Sequence, residues 1–478
     1  MIGTATLRVV KSALMLIPVL LLLSHANAQE NSAPEAPSKV GIQQTSQVPN
    51  SVAALVPSPN ASSAAPLTLT LADALERARS YSVEFRSATL DAGLAHQDKV
   101  QARAGMLPNA AYTGEYLYTQ GNGTAAGRFI ANNGVHEYIS EGNVHQEINL
   151  GLSEIATYRR AAAAEAVAKA KAELATRGLV VTVVGSYYGL IVAERKYATS
   201  QAANSEAQHF LEISEKLERG GEVAHADVIK AQIQFNDRQR ELQDAQLNMG
   251  KARFALAVLL FPNFNQDFTI VDDLSSPPAV PTREEVQQLA AKKNPSLQSA
   301  LATVEVSKRE VTIARAGYLP TIGFDYWYGV DATHLATNQF DTTLGRNVHN
   351  LGYAAAATLN VPIWNWGSTQ SKLKQAEMRR SLAQLELTTA QKQLLGNIQT
   401  SYDETVIARQ QLDFLRQSAD LASQSLRLTT ARYTAGEATV LEVVDAQSTA
   451  VTARNALADG EARYRFAIVN LQTLTGNF

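Results

Sequence analysis

Two copies of one heptapeptide decide the fold of this 478-residue chain: ARAGMLP at residues 102–108 and ARAGYLP at residues 314–320. Each copy ends a stretch with helical spacing of apolar residues, and its Gly, with Pro three residues later, is typical of a helix end. After each copy the apolar residues alternate, which indicates that a helix leads into a strand. The numbering offset between the two copies is 212 (314 minus 102).

A second pair of segments keeps nearly the same offset. LERGGE at residues 217–222 corresponds to RYTAGE at residues 432–437, with an offset of 215 (432 minus 217). Further along, Gln232 corresponds to Gln447 with this same offset. An offset that persists across separate segments predicts an internal duplication.

Composition excludes several classes of protein. Hydrophobic residues make up 45% of the chain, charged residues 18%, and the formal net charge is −3. This balance argues against a nucleic-acid partner, which would favour a basic excess. The chain has no Cys, so disulfides, thiolate chemistry and Cys-bound zinc are excluded.

A leading segment, which ends at Pro66, precedes the duplicated part. Residues 1–28 are predicted to be a signal peptide, with basic Arg8 and Lys11, an apolar core at 13–23 and the small-residue pattern ANA at 26–28. The core is short for a permanent membrane anchor, which is the alternative. Residues 29–66 are rich in Ser, Pro, Ala and Gln and are predicted to be a disordered tether. The chain is therefore expected to be exported.

The duplicated part predicts three regions. The first structural repeat covers residues 67–262, a Pro-rich link at the equatorial region covers 263–282, and the second repeat covers 283–478. Each repeat has the pattern of a short helix, a helix, a strand, a loop, a strand, a long helix, a turn and a final helix.

Four strands are predicted at about residues 110–119, 143–152, 321–330 and 352–363. In the third, Phe324 and Tyr326 alternate with Gly323 and Asp325, so that one face is apolar. Leu117 and Gln146 break the alternation in the first two strands. A strand of about ten residues fits a tilted transmembrane strand, although a half-buried sheet in a soluble protein would also alternate.

The loops and aromatic residues favour the membrane interpretation. The segments 121–141 and 331–350 are polar and rich in Gly and Asn, as extracellular loops often are. Trp and Tyr near strand ends suit the two aromatic girdles of a membrane barrel, and they are Trp327, Tyr328, Trp364 and Trp366. The opposite strand ends lead into helices.

The longest helices are expected at about residues 155–219 and 368–434, which lack Pro and would each span about 100 Å. In the second, apolar and small residues at 3-4 spacing predict a coiled-coil seam, formed by Leu412, Leu415, Ala419, Ala422, Leu426, Thr429 and Tyr433. The shorter helices at 83–105 and 223–260 would stack end to end beside one long helix. The Pro-rich link would lie at their junction.

Four strands are too few to close a barrel, and open strand edges do not occur in lipid. If the strands cross a membrane, the protein must therefore oligomerise. Two, three or four copies would give barrels of eight, twelve or sixteen strands, and this arithmetic leaves the choice open.

The chain resembles TolC-like outer membrane efflux proteins over about residues 67–478. The resemblance rests on the doubled AG-x-LP, on KNPSL at 293–297, on VPIWNWG at 361–367 and on GEATVLEVVDAQ at 436–447. It implies a mainly α fold with a β-barrel portion: a homotrimeric twelve-stranded barrel in outer membrane lipid, continued by an α-helical barrel through the periplasm. It also implies a passive exit duct of a tripartite efflux or type I secretion system. The implied partners are a periplasmic adaptor protein and an inner-membrane transporter.

The resemblance also implies a functional site at the periplasmic tip, formed by the turns at 220–224 and 435–439. The acidic residues that match the family's pore constriction are Glu442 and Asp445, with Asp227 near the same tip. Three copies would bring about six carboxylates of Glu442 and Asp445 to the axis and favour cations. Tyr433 matches a gate tyrosine, and Gly221 and Gly436 would allow the tight turns. The alternative is that these are solvated carboxylates and a seam aromatic.

One position departs from the family pattern. Ala438 stands where the best-known branch of the family has an Arg that pairs with the first-repeat carboxylate. That salt bridge cannot form in this chain.

No catalytic, cofactor or metal site is predicted. The sequence lacks a His-Glu-x-x-His motif and a Gly-rich phosphate loop after a strand. His136, Glu137 and His145 are separated between a loop and a strand, which does not favour a metal site. The chain is thus expected to be a non-enzymatic outer membrane duct, and the alternative is a soluble periplasmic coiled-coil adaptor or scaffold.

Overall fold

The computed structural model describes residues 67–119, 136–263, 266–275, 278–341 and 344–476. The predicted signal peptide at 1–28 and the predicted tether at 29–66 lie outside the described residues.

The described helices occur in two matching sets. The first set has 11, 22, 67 and 36 residues, and the second set has the same four lengths in the same order, as an internal duplication requires. The helices are α1 Leu71–Tyr81, α2 Val83–Ala104, α3 Ser153–Arg219, α4 His225–Leu260, α5 Arg283–Lys293, α6 Pro295–Ala316, α7 Ser368–Thr434 and α8 Val440–Thr475.

The described strands form three sheets. They are β1 Leu67–Leu69, β2 Asn109–Tyr118, β3 His136–Asn149, β4 Phe268–Ile270, β5 Thr321–Ala332, β6 Asn338–Asp341, β7 Arg346–His349 and β8 Leu351–Asn360. The largest sheet has the order β2-β3-β5-β8, and all its neighbours are antiparallel. β1 pairs in parallel with β4, and β6 pairs with β7.

The strand bounds differ from those expected from sequence. β3 begins at His136, inside the expected loop 121–141, and ends at Asn149, because Leu152 takes a left-handed φ of 55° just before α3. β8 ends at Asn360, two residues before a proline that has no N–H for a ladder hydrogen bond. The expected loop 331–350 contains the β6–β7 hairpin, and the expected link contains β4.

Register places the alternating side chains of the large sheet on two distinct faces. Val144 lies opposite Tyr326, and Tyr326 lies opposite Ala355, so these positions share one apolar face. Gln146 lies on this same face, where its amide Nε2 donates to the Glu147 carbonyl at 3.0 Å. The other face carries the polar residues.

The long helices pack side by side. α3 contacts α2, α4, α6 and α8, whereas α7 contacts α6 and α8. Five of the seven predicted α7 seam positions are buried, namely Leu412, Ala419, Ala422, Leu426 and Tyr433. The other two, Leu415 and Thr429, are half-buried. α2 and α4 therefore lie at one edge of the helical layer and α7 lies at the other.

A large core lies at the middle of α3, where α1, α4 and the β1–β4 pair meet it. The hydroxyl of Tyr187 donates to the Val271 carbonyl at 2.8 Å, and burial raises the pKa of Tyr187 to about 12. Beside this core, Arg195 binds Asp272 of the link at 2.6 Å and Glu461 of α8 at 2.5 Å. Among the described helices, α3 alone is apolar enough to cross a membrane by length and composition, and this core accounts for that apolar stretch.

Candidate functional site

Both long helices end in the same type of glycine turn. α3 ends at Arg219 and α7 at Thr434, and Gly221 and Gly436 each take a φ of 78°. In each turn, the amide after this glycine donates to the carbonyl five residues earlier at 2.8 Å. This bond defines a Schellman motif, whose left-handed position glycine adopts without strain. The two glycines therefore set the geometry of both turns.

The second turn leads into α8 through a capping box. The Glu442 amide donates to Thr439 Oγ1 at 3.3 Å, and Glu442 Oε1 accepts from the Thr439 amide at 3.2 Å. The other carboxylate oxygen lies 3.5 Å from Arg432 Nη1. The hydrogen bonds from Thr439, with a smaller effect of Arg432, lower the pKa of Glu442. Glu442 is thus an ionised cap at a helix N-terminus, where the helix dipole favours negative charge.

The other two predicted carboxylates differ in their partners. Asp445 is exposed one turn beyond Glu442 and makes no hydrogen bond or ion pair with the residues that the structure describes. Asp227, in the first turn of α4, lies 3.4 Å from Lys230 (Oδ1 to Nζ). The duplication aligns Asp227 with Glu442 and Lys230 with Asp445, both at the offset of 215 (442 minus 227, 445 minus 230). The first turn thus carries a neutral pair and the second an acidic one.

Tyr433 lies in an apolar cluster that joins the two turns. Its side chain is buried, its ring centroid is 4.9 Å from that of Phe210, and its hydroxyl is 3.1 Å from Ser214 Oγ. Ser214 donates its own proton to the Phe210 carbonyl at 2.9 Å, so the tyrosine hydroxyl is the donor between them. The cluster also includes Leu211, Ala231, Val440 and Val443. Tyr433 therefore connects the α7–α8 hairpin to the α3–α4 hairpin.

Comparison with known proteins shows which family the chain resembles. A family model described as outer membrane efflux protein matches residues 286–477. The outer membrane protein TolC of Escherichia coli is 20% identical over 84% of this chain and 81% of TolC. The alkaline protease secretion protein AprF of Pseudomonas aeruginosa is 21% identical over 82% of this chain and 81% of AprF. The CmeC outer membrane channel of Campylobacter jejuni superposes with a TM-score of 0.72, 17% identity and 85% coverage of each chain.

The resemblance to TolC-like outer membrane efflux proteins that the sequence predicts is confirmed.

These similarities confirm three predictions made from sequence. The fold class, a mainly helical chain that contributes β-strands to a trimeric outer membrane barrel, agrees with the solved channels. The function as an outer membrane exit duct of efflux or secretion systems is confirmed, and so is the location in the outer membrane. This location decides against the soluble periplasmic adaptor. The relatives are channels rather than enzymes.

The polar face of the large sheet is also negatively charged. This face has acidic residues but no Lys or Arg on β2, β3, β5 and β8. The acidic residues are Glu115, Glu137, Glu141, Glu147, Asp325 and Asp331. The apolar face carries exposed Tyr112, Tyr353 and Leu359, whose side chains are 62–77% exposed, as a lipid-facing surface requires.

Sequence reasoning missed two side-chain contacts across the turns. Arg432 binds Glu442 and also donates to the Glu437 carbonyl at 2.9 Å, across the second turn. His225 Nδ1 lies 2.7 Å from Glu218 Oε1 across the first turn. The pattern Thr-x-x-Glu at residues 439–442 is a visible capping-box signal. No comparable signal in the sequence marks the cross-turn pairs.

The three residues considered for a metal site have other partners in the sheet. His136 Nδ1 lies 2.7 Å from the Tyr116 hydroxyl, and His145 Nδ1 lies 2.6 Å from Asp325 Oδ1. Glu137 is buried on β3. Within the described part of the chain, the structure brings no three His, Asp or Glu side chains together as metal ligands.

Proposed function

We propose that three copies of this protein form one continuous duct, through which cargo passes passively across the periplasm and the outer membrane. The observation that carries the proposal is that a single copy has two unpaired edges in its main sheet. Among the described strands, β2 and β8 each have a neighbour on one side only, and lipid does not tolerate free backbone N–H and C=O groups. Pairing β8 of one copy with β2 of the next closes the barrel, and three copies supply twelve strands.

The helical layer supports the same assembly. α7 carries an exposed apolar stripe with a seven-residue period, whose members are 47–70% exposed: Ile407, Phe414, Leu421 and Leu428. Such a period is that of a coiled-coil seam, and this seam is separate from the one that faces α8. On the opposite edge, α4 exposes Ile233, Leu247 and Phe254. We infer that α7 of one copy covers the α4 stripe of the next.

The tip turns would then form an acidic constriction. Three copies bring three Glu442 and three Asp445 side chains toward one axis, and such a ring favours cations and repels anions. Arg432 partly neutralises each Glu442, whereas Asp445 has no such partner among the described residues. Asp445 is therefore proposed to dominate the selectivity. Asp227 contributes less, because Lys230 balances its charge.

The contact of Tyr433 with Ser214 is proposed to hold the tip closed. Ala438, which stands at the family's Arg position, is partly buried in the tip cluster and offers no charge. The buried Tyr433 hydroxyl then makes a polar contact between the two hairpins of one copy at the tip. Opening would separate the hairpins and break this contact.

A passive duct requires partners that supply energy and cargo. We infer a periplasmic adaptor that docks at the helical end and an energised inner-membrane transporter, because no Gly-rich phosphate loop follows a strand in this sequence. Drugs, other small toxic molecules and secreted proteins are all compatible with such a duct.

Assembly and conduction provide the test. The protein should be extracted from membranes by detergent, migrate as a trimer before heating, and conduct ions in planar bilayers with a preference for cations. Release by a salt wash without detergent, as a monomer without conductance, would overturn the proposal and favour a soluble scaffold.

A further inference from the structure

The helix ends nearest the barrel strands are basic. Within the twelve residues of α2, α3, α6 and α7 that adjoin the strands there are ten Lys or Arg and five Asp or Glu. The cations are Lys99, Arg103, Arg159, Arg160, Lys308, Arg309, Arg315, Lys372, Lys374 and Arg379, and the anions are Asp98, Glu154, Glu305, Glu310 and Glu377. These helix ends thus carry an excess of five positive charges per copy, directly beside strands that have no Lys or Arg.

Part of this charge surrounds an open cleft between α3, α6 and α7. The cleft has a volume of about 540 Å³, and its cationic side chains are Arg160, Lys372 and Arg379. Glu310 is its one carboxylate and lies 3.9 Å from Arg160. Lys372 and Arg379 are exposed and form no ion pair with the described residues. The cleft therefore offers two uncompensated cations on one face of α7, at positions i and i+7.

The upper end of the cleft adjoins the aromatic residues at the foot of the barrel. Gly317, which lines the cleft, directly precedes Tyr318 and Leu319, whose side chains are 48% and 44% exposed. On the α7 side, Trp364 and Trp366 are 75% and 89% exposed, shortly before the helix begins. Headgroups occupy about 5–7 Å beyond the hydrocarbon on each side of a bilayer. The helix turns that adjoin the strands, which are the last turn of α6 and the first turns of α3 and α7, therefore lie at headgroup depth.

The two cations that α7 contributes to the cleft are specific to the second repeat. With the offset of 215, the positions of Lys372 and Arg379 correspond to Thr157 and Ala164 in the first repeat (372 minus 157, 379 minus 164). The position of Glu310, the carboxylate of the cleft, is acidic in both repeats. Glu310 corresponds to Asp98 with the offset of 212 (310 minus 98). Duplication of the fold alone does not explain the two added cations.

We propose that this cleft binds the headgroup of an anionic phospholipid from the periplasmic leaflet of the outer membrane. Lys372 and Arg379 contact the phosphate, Arg160 adds a third cation, and the acyl chains lie against the exposed aromatic residues above. The proposal rests on the outer membrane duct proposed above. It commits to a lipid because the cations and the apolar surface adjoin each other in the order of a phospholipid's headgroup and tails.

The test compares the full-length detergent-purified protein with K372Q/R379Q. Each protein is delipidated and titrated with phosphatidylglycerol or phosphatidylcholine, and retained lipid is counted by native mass spectrometry. A basic residue near an anionic surface strengthens binding about fivefold, so losing two should weaken phosphatidylglycerol binding about thirtyfold. Phosphatidylcholine binding should be weak for both proteins. The matched control K392Q/R427Q removes two exposed cations from lower positions on α7 and should retain wild-type binding.

The other outcomes separate the possible sources of the anion. Competition by millimolar inorganic phosphate would overturn the lipid assignment and indicate a site for soluble anions. Equal phosphatidylglycerol binding by K372Q/R379Q and wild type would overturn the assignment of the lipid site to this cleft. Trimer formation and conductance are measured on the same preparations. Loss of lipid binding with a conducting trimer leaves the duct intact, whereas absence of any trimer would refute the proposed function itself.

Discussion

Replacing Tyr433 by Phe removes one hydroxyl from the tip and is expected to make the duct open more readily. The lost bond to Ser214 is buried, and a hydrogen bond of this kind contributes a net ~1 kcal/mol. Ser214 keeps its own bond to the Phe210 carbonyl, so no polar group is left without a partner. If opening separates the hairpins in all three copies together, the closed state loses about 3 kcal/mol. The ratio of open to closed ducts should then rise about 150-fold.

Single-channel recording in planar bilayers measures this ratio directly as the fraction of time spent open. Tyr402→Phe is the matched control, because Tyr402 lies on the same helix and its hydroxyl makes no hydrogen bond to the described residues. Its ring lies 4.9 Å from the Arg283 guanidinium, a contact that Phe also makes. The control should gate like the wild type. An open fraction of Tyr433→Phe that matches this control would refute the assigned role.

A double-mutant cycle separates this bond from a general loosening of the tip. Ser214→Ala leaves the Tyr433 hydroxyl buried without its acceptor, which costs about 1–3 kcal/mol per copy. It should therefore open the duct more than Tyr433→Phe does. Combining both changes should open it no further than Ser214→Ala alone, because the unpaired hydroxyl is then gone. Additive effects of the two changes would show that the hydroxyls act independently.

Three further predictions follow from the same geometry. Asp445→Asn should lower the cation-to-anion permeability ratio more than Glu442→Gln does, because Glu442 is already paired with Arg432 and Gln preserves the capping box. Reversal potentials in a KCl gradient measure the permeability ratio. Equal effects of the two substitutions would contradict the larger role assigned to Asp445. Gly436→Ala forces a Cβ into a left-handed position and should lower the free energy of unfolding by about 1–2 kcal/mol. Denaturant unfolding should show this as a lower midpoint. Gly250→Ala inside α4 is the control and should not destabilise the protein. Hydrogen bonds from Lys169, with others from Lys99 and His96, lower the pKa of Glu165 to about 2. The stabilising contribution of the Glu165 carboxylate is therefore complete above about pH 4.5 and is lost as the pH falls toward 2. Glu165→Gln should lower the melting temperature at pH 7, and the melting temperatures of the variant and the wild type should converge near pH 2.

Sequence was most informative where the structure depends on local periodicity. The Pro-free stretches and glycine stops predict the long helices to within a few residues, because helix ends depend on neighbouring residues. The buried positions of the α7 seam, such as Leu412 and Leu426, follow from 3-4 spacing. The duplication then allows each half to support the assignment of the other.

Sequence was least informative where the structure depends on contacts between distant segments. β1 and β4 are three residues each, and they become strands because they pair with each other across about two hundred residues of chain. β3 extends back to His136 through residues that are polar enough to be interpreted as a loop. That extension is ordered by pairing, since Tyr138 lies between Tyr116 and Ala332 on its neighbours.

The candidate site shows the same limit. Glu442, Asp445 and Tyr433 are identified by motif, but their partners are not. Arg432 is ten residues from Glu442 across a turn, and Ser214 is 219 residues from Tyr433. A motif can indicate that a carboxylate is important, but its charge state and its freedom depend on neighbours that only the fold brings close.

The duplication itself explains how one chain divides these roles. In the proposed trimer, two repeats with equal helix lengths would present equivalent positions to the same axis, so a substitution in one repeat would change a ring of three rather than six side chains. At the tip, Lys230 in the first repeat balances the charge of Asp227. Asp445, at the equivalent position of the second repeat, instead adds a negative charge beside Glu442. At the barrel foot, Thr157 leaves neutral the position that Lys372 makes basic. A duplicated chain can therefore adjust the duct's selectivity and its membrane contacts separately, without changing the packing that both repeats share. Exchanging Lys230 with Asp445 should preserve the trimer and its net charge, and should move the acidic ring from the second turn to the first.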